Sequence, residues 1–284
     1  VAVVGDERVR RIFEFNYPGV RFIGNPWAGR RFNRTPGPVA PALSNSATPG
    51  SVELLRRLNA YVPAGAERDY DFLVWPEDCI RIFHFAGIET SFFAPGLGAL
   101  ELPPEGRAAA EASLSALGPG PKVGIVWRNS YYSATRRPRD MLTAMEMIPV
   151  LSIPGVAFVD LHPVSFEEEN AAIAERAGVR LKHVEGVDML NDFVGQGWAL
   201  KGLDALVMPG VTQRDLAAAV GAWPIWSFTV WPGGGEAWRA DPVTKADCWQ
   251  KGIVHHTLLD YGSREAIVDA LRDRVSRLAS GRTA

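Results

Sequence analysis

Cysteine is scarce in this chain. Cys79 and Cys248 are the two present in 284 residues. That is too few for a disulfide framework or a cysteine-based zinc site, and a reduced, cytoplasmic setting fits. Long apolar runs are missing as well: no stretch of about 18 apolar residues occurs, so no membrane span is expected. Charge of one sign is missing too. Lys and Arg number 30 against 32 Asp and Glu, a formal net charge of −2, which points away from nucleic acid or an anionic membrane surface as partner. The opening Val1-Ala-Val-Val4 has neither Met nor a charged n-region. No signal peptide is expected; the stretch looks like the inside of a strand, and further sequence is expected upstream. The Gly233-Gly-Gly235 run has no Lys-Ser/Thr after it and is not a P-loop. No His/Asp cluster of the kind a Mg²⁺ or Zn²⁺ site uses is evident. His255 and His256, adjacent in a predicted strand, point to opposite faces and read as structural.

What is present is ordinary globular composition, 47% hydrophobic and 22% charged, with length enough for two cores. Residues 1–4, 7–15 and 20–23 read as strand, helix and strand, a rhythm that implies a parallel sheet. Residues 24–50 form a long loop rich in Pro, Gly and Arg, either a surface insertion or a substrate-binding segment. A helix over 51–61 and a strand over 70–74 follow. Residues at the carboxyl ends of parallel strands line the ligand crevice of open α/β sheets. Glu77, Asp78 and His84 are therefore acid–base candidates. The competing roles are a helix cap or a solvated group and, for His84 between Phe83 and Phe85, a hydrogen-bonded core histidine.

Gly118-Pro-Gly-Pro121 separates a helix at 103–117 from a regular second half and reads as a domain boundary. Beyond it, strands are expected at 122–127, 156–161, 179–181, 205–208 and 224–228, and helices at 140–151, 165–177, 189–201 and 263–278. Glu167, Glu168 and Glu169 suit the positive end of a helix dipole and read as surface. The alternation predicts doubly wound parallel sheets. The informative stretch is Leu206-Val-Met-Pro-Gly-Val-Thr-Gln-Arg-Asp-Leu-Ala-Ala-Ala-Val-Gly221. It reads as strand, Pro-Gly turn and helix, with Thr212 as N-cap and Gly221 as terminator. The start of such a helix offers free N–H groups to phosphate. Of the tryptophans from Trp223 to Trp249, most read as packing. Trp231 and Trp238, in Gly-rich sequence, are the better candidates for stacking on a sugar.

Three blocks, Lys122-Val-Gly-Ile-Val-Trp127-Arg128-Asn129, Pro154 to His162 and Leu203 to Trp226, together resemble the C-terminal domain of GT-B glycosyltransferases. Among these they resemble bacterial heptosyltransferase-like and O-GlcNAc-transferase-like proteins, often linked to tetratricopeptide repeats. The resemblance implies two Rossmann-like domains: residues 1–118 on the acceptor side, and residues 121–262 binding the nucleotide sugar. A helix over 263–284 closes the chain and can cross back to the first domain. It implies metal-independent transfer of a sugar from a nucleotide-sugar donor to a protein or saccharide acceptor. The nucleotide sugar is substrate and no cofactor is needed; an upstream repeat domain is a further expected partner.

Carried over by position, Trp127, Arg128 and Asn129 lie near the donor. Arg136, Arg137 or Arg139 neutralises the leaving phosphate, His162 lies near the base, and Gly210, Thr212 and Gln213 present N–H groups to phosphate. Asp215 reaches a ribose hydroxyl. One departure matters. Gly210-Val211 stands where heptosyltransferase-type relatives carry Asp-Ser/Thr, and Asp215 where they carry His. A backbone-only phosphate site, a donor with one phosphate such as a cytidine monophosphate sugar, and loss of catalysis all fit this departure. The alternatives to a transferase are a non-catalytic binding or scaffold protein and a sugar-nucleotide epimerase.

Overall fold

The structure, a computed structural model, describes residues 2–25, 100–128, 141–164, 166–222, 224–230, 240–247 and 250–281. The chain groups into two units, Val1–Phe92 and Phe93–Ala284.

In the first unit, strand β1 (Ala2–Asp6), helix α1 (Arg10–Asn16) and strand β2 (Arg21–Asn25) form the expected β-α-β unit. The strands pair in parallel, Val3 beside Phe22. Phe13 packs between Tyr17 and Phe22, at 5.1 and 5.2 Å between ring centres.

The second unit is built on five parallel strands: β3 (Lys122–Ile125), β4 (Ala157–Asp160), β5 (Ala205–Pro209), β6 (Ile225–Thr229) and β7 (Ile253–Thr257). Their order is β4-β3-β5-β6-β7. A single parallel bridge from Val159 to Lys182 extends the sheet one position beyond β4. The expected strand at 179–181 is thus reduced to that bridge. The helices are α2 (Arg107–Ser115), α3 (Ile148–Leu151), α4 (Glu167–Ala177), α5 (Phe193–Lys201), α6 (Thr212–Val220), α7 (Leu258–Tyr261) and α8 (Arg264–Ala279).

Strand side chains alternate between faces with period two. On one face Val123, Ile125, Trp127, Val207, Trp226 and Phe228 form a core with Met147, Val150, Ile173, Ile267, Leu271 and Val275, contributed in part by α3, α4 and α8. Gly124, Leu206 and Ile225 face the other way, toward α5 and α6. There α2 packs on α5, and the segment before α2 is tied down beside it: the Trp198 indole N–H of α5 donates to Pro103 O at 2.7 Å, and the Leu100 amide to Ala219 O of α6 at 2.7 Å. Helices therefore cover both faces, the doubly wound arrangement read from the sequence.

Several boundaries shift for local reasons. The helix expected at 140–151 is the one-turn α3 preceded by turns. Thr143 and Glu146 cap each other reciprocally there, the Thr143 amide donating to Glu146 Oε2 at 2.7 Å and the Glu146 amide to Thr143 Oγ1 at 3.2 Å. Pro149, lacking an N–H, is tolerated at the very start of the helix. The helix expected from 189 begins at Phe193, because the Asp192 carboxylate caps it by accepting from the Gly195 amide at 2.9 Å.

Candidate functional site

The chain leaves β3 toward β4 on one side, and β5 toward β6 on the other. Neighbouring crossovers that diverge in this way open a crevice at the carboxyl ends of the two strands. Trp127 and Arg128 follow β3 there, and Gly210, Val211 and Thr212 follow β5.

The expectation that Thr212 caps α6 is corrected. The N-cap is Val211, extended at φ −129° and ψ 161°, and Thr212 is the first helical residue. The valine side chain has no oxygen with which to cap, so no side chain closes this end. Among the described residues, the Thr212 and Gln213 amides have no backbone acceptor. By contrast, α5, α7 and α8 are closed by their own Asp192, Thr257 and Ser263. The open end of α6 presents N–H groups and the positive end of the helix dipole. Gly221, at φ 79°, terminates α6 as expected. Gln213 is buried. Asp215 is half exposed and accepts from Arg214 Nη2 at 2.9 Å.

At the ends of β3 and β4 a second group of residues meets. Trp127 is fully buried and belongs to the core, so it holds the site in place from inside the sheet. Its indole N–H donates to Glu169 Oε2 at 2.6 Å. Arg128 Nη2 donates to Glu169 Oε1 at 2.6 Å, and its guanidinium lies 3.5 Å from the Phe166 ring centre. Arg128 and Glu169 also line a pocket of about 300 Å³, otherwise walled mainly by Met141, Leu142, Ala144, Met145 and Ala172. His162 is enclosed, with Trp127 4.0 Å and Phe166 5.0 Å away between ring centres. Its Nδ1 bonds Asp160 Oδ1 at 2.6 Å. Burial raises the pKa of Asp160, but the hydrogen bonds and charge interaction it receives from His162, with a smaller charge interaction from His183, outweigh it and hold the carboxyl below its usual range.

The structure thus gathers Trp127, Arg128 and His162 at one pair of strand ends, and Gly210, Thr212, Gln213 and Asp215 at the neighbouring end. Asp78, His84, Asn129, Arg136, Arg137 and Arg139 lie outside the described residues, as do Trp231 and Trp238. His255 and His256 take separate partners. His255 Nε2 meets Asp247 Oδ2 at 2.8 Å and His256 Nδ1 meets Ser227 O at 3.3 Å. Among the described residues no group of His, Cys, Asp and Glu has the arrangement of a metal site, and no helix is long and apolar enough to cross a membrane.

Three residues at these strand ends were not singled out in sequence. Glu169, read as surface, bonds both Trp127 and Arg128. Asp160 organises His162. Arg214 is 1% exposed and reaches Ser227 Oγ at 3.4 Å. A signal existed for two of them: Glu169 stands four residues before Ile173, and Arg214 four before Ala218, each on the buried stripe of its helix.

A parallel sheet with this order, and helices on both faces, defines a Rossmann-like α/β unit. In fold the chain is similar to the crystal structure of the glycosyl transferase family 9 from Veillonella parvula DSM 2008. The TM-score is 0.54, over 99% of this chain and 87% of that one, at 13% identity. In sequence, 119 residues are 36% identical to Protein FlbA of Caulobacter vibrioides (strain ATCC 19089 / CIP 103742 / CB 15). That stretch is 42% of this chain and 20% of FlbA, so the match spans about a fifth of that protein. No family model matches the chain.

Proposed function

We propose that this chain is a metal-independent glycosyltransferase that moves a sugar from a nucleotide-sugar donor to a protein or saccharide acceptor. The observation that carries the reading is the open start of α6, beside the Arg128 and His162 group, at the divergence of β3 and β5. The Thr212 and Gln213 amides bind the leaving phosphate. Arg136, Arg137 or Arg139 adds charge, since a guanidinium fork pairs with phosphate oxygens. Asp215 takes a ribose hydroxyl. In the reaction the bond from the anomeric carbon to the phosphate oxygen breaks and one to the acceptor oxygen forms. The acceptor proton passes to a carboxylate or imidazole, for which Asp78 and His84 are the candidates.

One observation favours a second reading. Val211 gives the phosphate no side-chain grip, as a binding or scaffold protein that had lost catalysis would show. Titration calorimetry with UDP, GDP, ADP and CMP, on the native chain and on Arg137→Ala, separates the two. Micromolar binding of one nucleotide, at least tenfold weaker in the variant, supports the transferase. A folded, monodisperse sample that binds none of the four moves the assignment to the scaffold.

A further inference from the structure

Arg214 and Asp215 are neighbours on the first turn of α6, and they meet in a way that helix geometry does not favour. Consecutive helical residues point about 100° apart and do not face each other. Arg214 is 1% exposed, whereas the Asp215 side chain is 52% exposed. The guanidinium nevertheless gives two N–H groups to one oxygen of its neighbour. Nη2 donates to Asp215 Oδ1 at 2.9 Å, and Nε to the same atom at 3.3 Å. Nη1 donates to Ser227 Oγ at 3.4 Å, and Ser227 is fully buried on β6. The sheet thus holds the cation, and the cation holds the carboxylate. Two donors fill Oδ1. Oδ2 takes no hydrogen bond among the described residues. Burying a guanidinium is costly, so one that reaches out to a half-exposed neighbour calls for a role beyond packing. The place suggests the role. Asp215 stands two and three residues beyond Gln213 and Thr212, whose amides have no backbone acceptor among the described residues. An unpaired carboxylate so close would repel a phosphate, whereas one paired with a guanidinium repels it far less.

We propose that Arg214 is a positioning residue of the donor site: it clamps the Asp215 carboxylate so that Oδ2 accepts a ribose hydroxyl, and it offsets the charge that would otherwise repel the phosphate at the start of α6. The inference rests on the transferase reading above, and within it on the contact between Asp215 and the ribose. A carboxylate with both oxygens open takes the 2′- and 3′-hydroxyls together, one on each oxygen. With Oδ1 filled, Oδ2 suits one hydroxyl, so one of the two carries most of the recognition.

The test is titration calorimetry of the native chain with UDP, GDP, ADP and CMP, and with the 2′-deoxy and 3′-deoxy forms of whichever binds. The native chain is expected to bind one of the two deoxy forms at least fivefold more weakly than the ribonucleotide. Arg214→Met, which keeps the apolar stem without the N–H groups, and Asp215→Ala are each expected to bring that ratio below twofold. An arginine that only packs would lower affinity for all three ligands alike and leave the ratio at its native value. The double variant is expected to match Asp215→Ala in its ratio, because a residue acting through another adds nothing once its target is gone. It is also expected to bind nucleotide more tightly than Arg214→Met alone, since the unpaired carboxylate has left. Arg214→Lys, run beside these in case the methionine variant does not fold, keeps a cation but cannot span Ser227 and Asp215. It is expected to lose at least half of the ratio. A folded Arg214 variant that keeps the native ratio, or a native chain that binds all three forms equally, overturns this inference and leaves the transferase reading standing. Absence of all nucleotide binding overturns both.

Discussion

The indole N–H of Trp127 and the carboxylate of Glu169 meet at 2.6 Å across 42 positions of sequence. The same carboxylate takes Arg128 Nη2 at 2.6 Å and Nε at 3.3 Å. One acidic side chain on the first turn of α4 therefore fixes both residues that leave β3.

Removing that carboxylate should loosen the end of β3. Glu169→Ala leaves a buried indole N–H and a largely buried guanidinium without their acceptor, a loss of about 2–3 kcal/mol for hydrogen bonds to a charged group. Glu169→Gln keeps one acceptor oxygen and should cost about half as much. Urea unfolding of the native chain and both variants measures this. A change below about 0.5 kcal/mol for the alanine variant would show that Glu169 is only a dipole-complementing surface charge.

That distinction marks where the sequence was legible and where it was not. The β/α rhythm, the parallel pairing, the end of α6 at Gly221 and the separate roles of His255 and His256 followed from periodicity and turn chemistry. The segments that failed are ones where local side chains compete with the backbone. Thr143 with Glu146, and Asp192 with Gly195, reset helix starts that the apolar pattern alone placed too early. Glu169 and Arg214 went unread because polar residues on a buried helix stripe look like surface until their partners Trp127 and Ser227 are known, and Asp160 because nothing in sequence marks a strand-end carboxylate as the partner of the His two residues on.

The close packing under β3 is open to a simple test. A Cβ on Gly124 would stand 2.5 Å from Leu161 Cδ1 and 2.7 Å from both Leu203 Cδ1 and Leu206 Cδ2. Leu161 and Leu206 are fully buried and Leu203 nearly so, so these methyls have little room to yield. Gly124→Ala should destabilise by about 1–3 kcal/mol through overpacking. Because β3 carries Trp127 and Arg128, nucleotide affinity should fall with it. Denaturant unfolding that shows no loss would mean the leucines repack freely.

Acid should act in part through two buried or half-buried carboxylates, Glu146 and Asp160. Burial raises the pKa of Glu146, but hydrogen bonds from Arg264 and Thr143 outweigh it and bring the pKa down to about 2. Arg264 donates through Nε at 2.5 Å and Nη2 at 2.8 Å, joining the turn before α3 to the start of α8. The folded pKa lies below the unfolded one, so the stabilisation is present above about pH 4.5 and is lost as pH falls toward 2. Screened by solvent at this half-buried pair, its size is on the order of 1–2 kcal/mol. Asp160, also lowered, adds a loss of the same sign as pH falls below the usual aspartate range. Glu146→Gln should lower stability at pH 7 and flatten the acid limb between pH 4.5 and 2. Unfolding free energies across that range decide it; a limb as steep as the native one would assign acid sensitivity elsewhere.

The open end of α6 allows stability and function to be pulled apart. Val211→Asp places a carboxylate at the N-cap, where it can accept from the amides that now lack a backbone acceptor. Capping contributes about 1 kcal/mol, and a negative charge at the helix start a further 0.3–1. Loss of the buried valine costs about 1.5 kcal/mol, so net stability should change by less than about 1 kcal/mol. Nucleotide binding should fall much further, because the new carboxylate occupies the amides meant for phosphate and repels it. Structural roles for the turn predict the opposite ordering, a stability change with affinity untouched. Calorimetry with the nucleotide that the native chain binds, run beside a urea titration of the same sample, reads both quantities. A variant that folds normally and binds as tightly as the native chain would remove α6 from the phosphate site, and would leave the arginines of 136–139 as the remaining candidates for that charge.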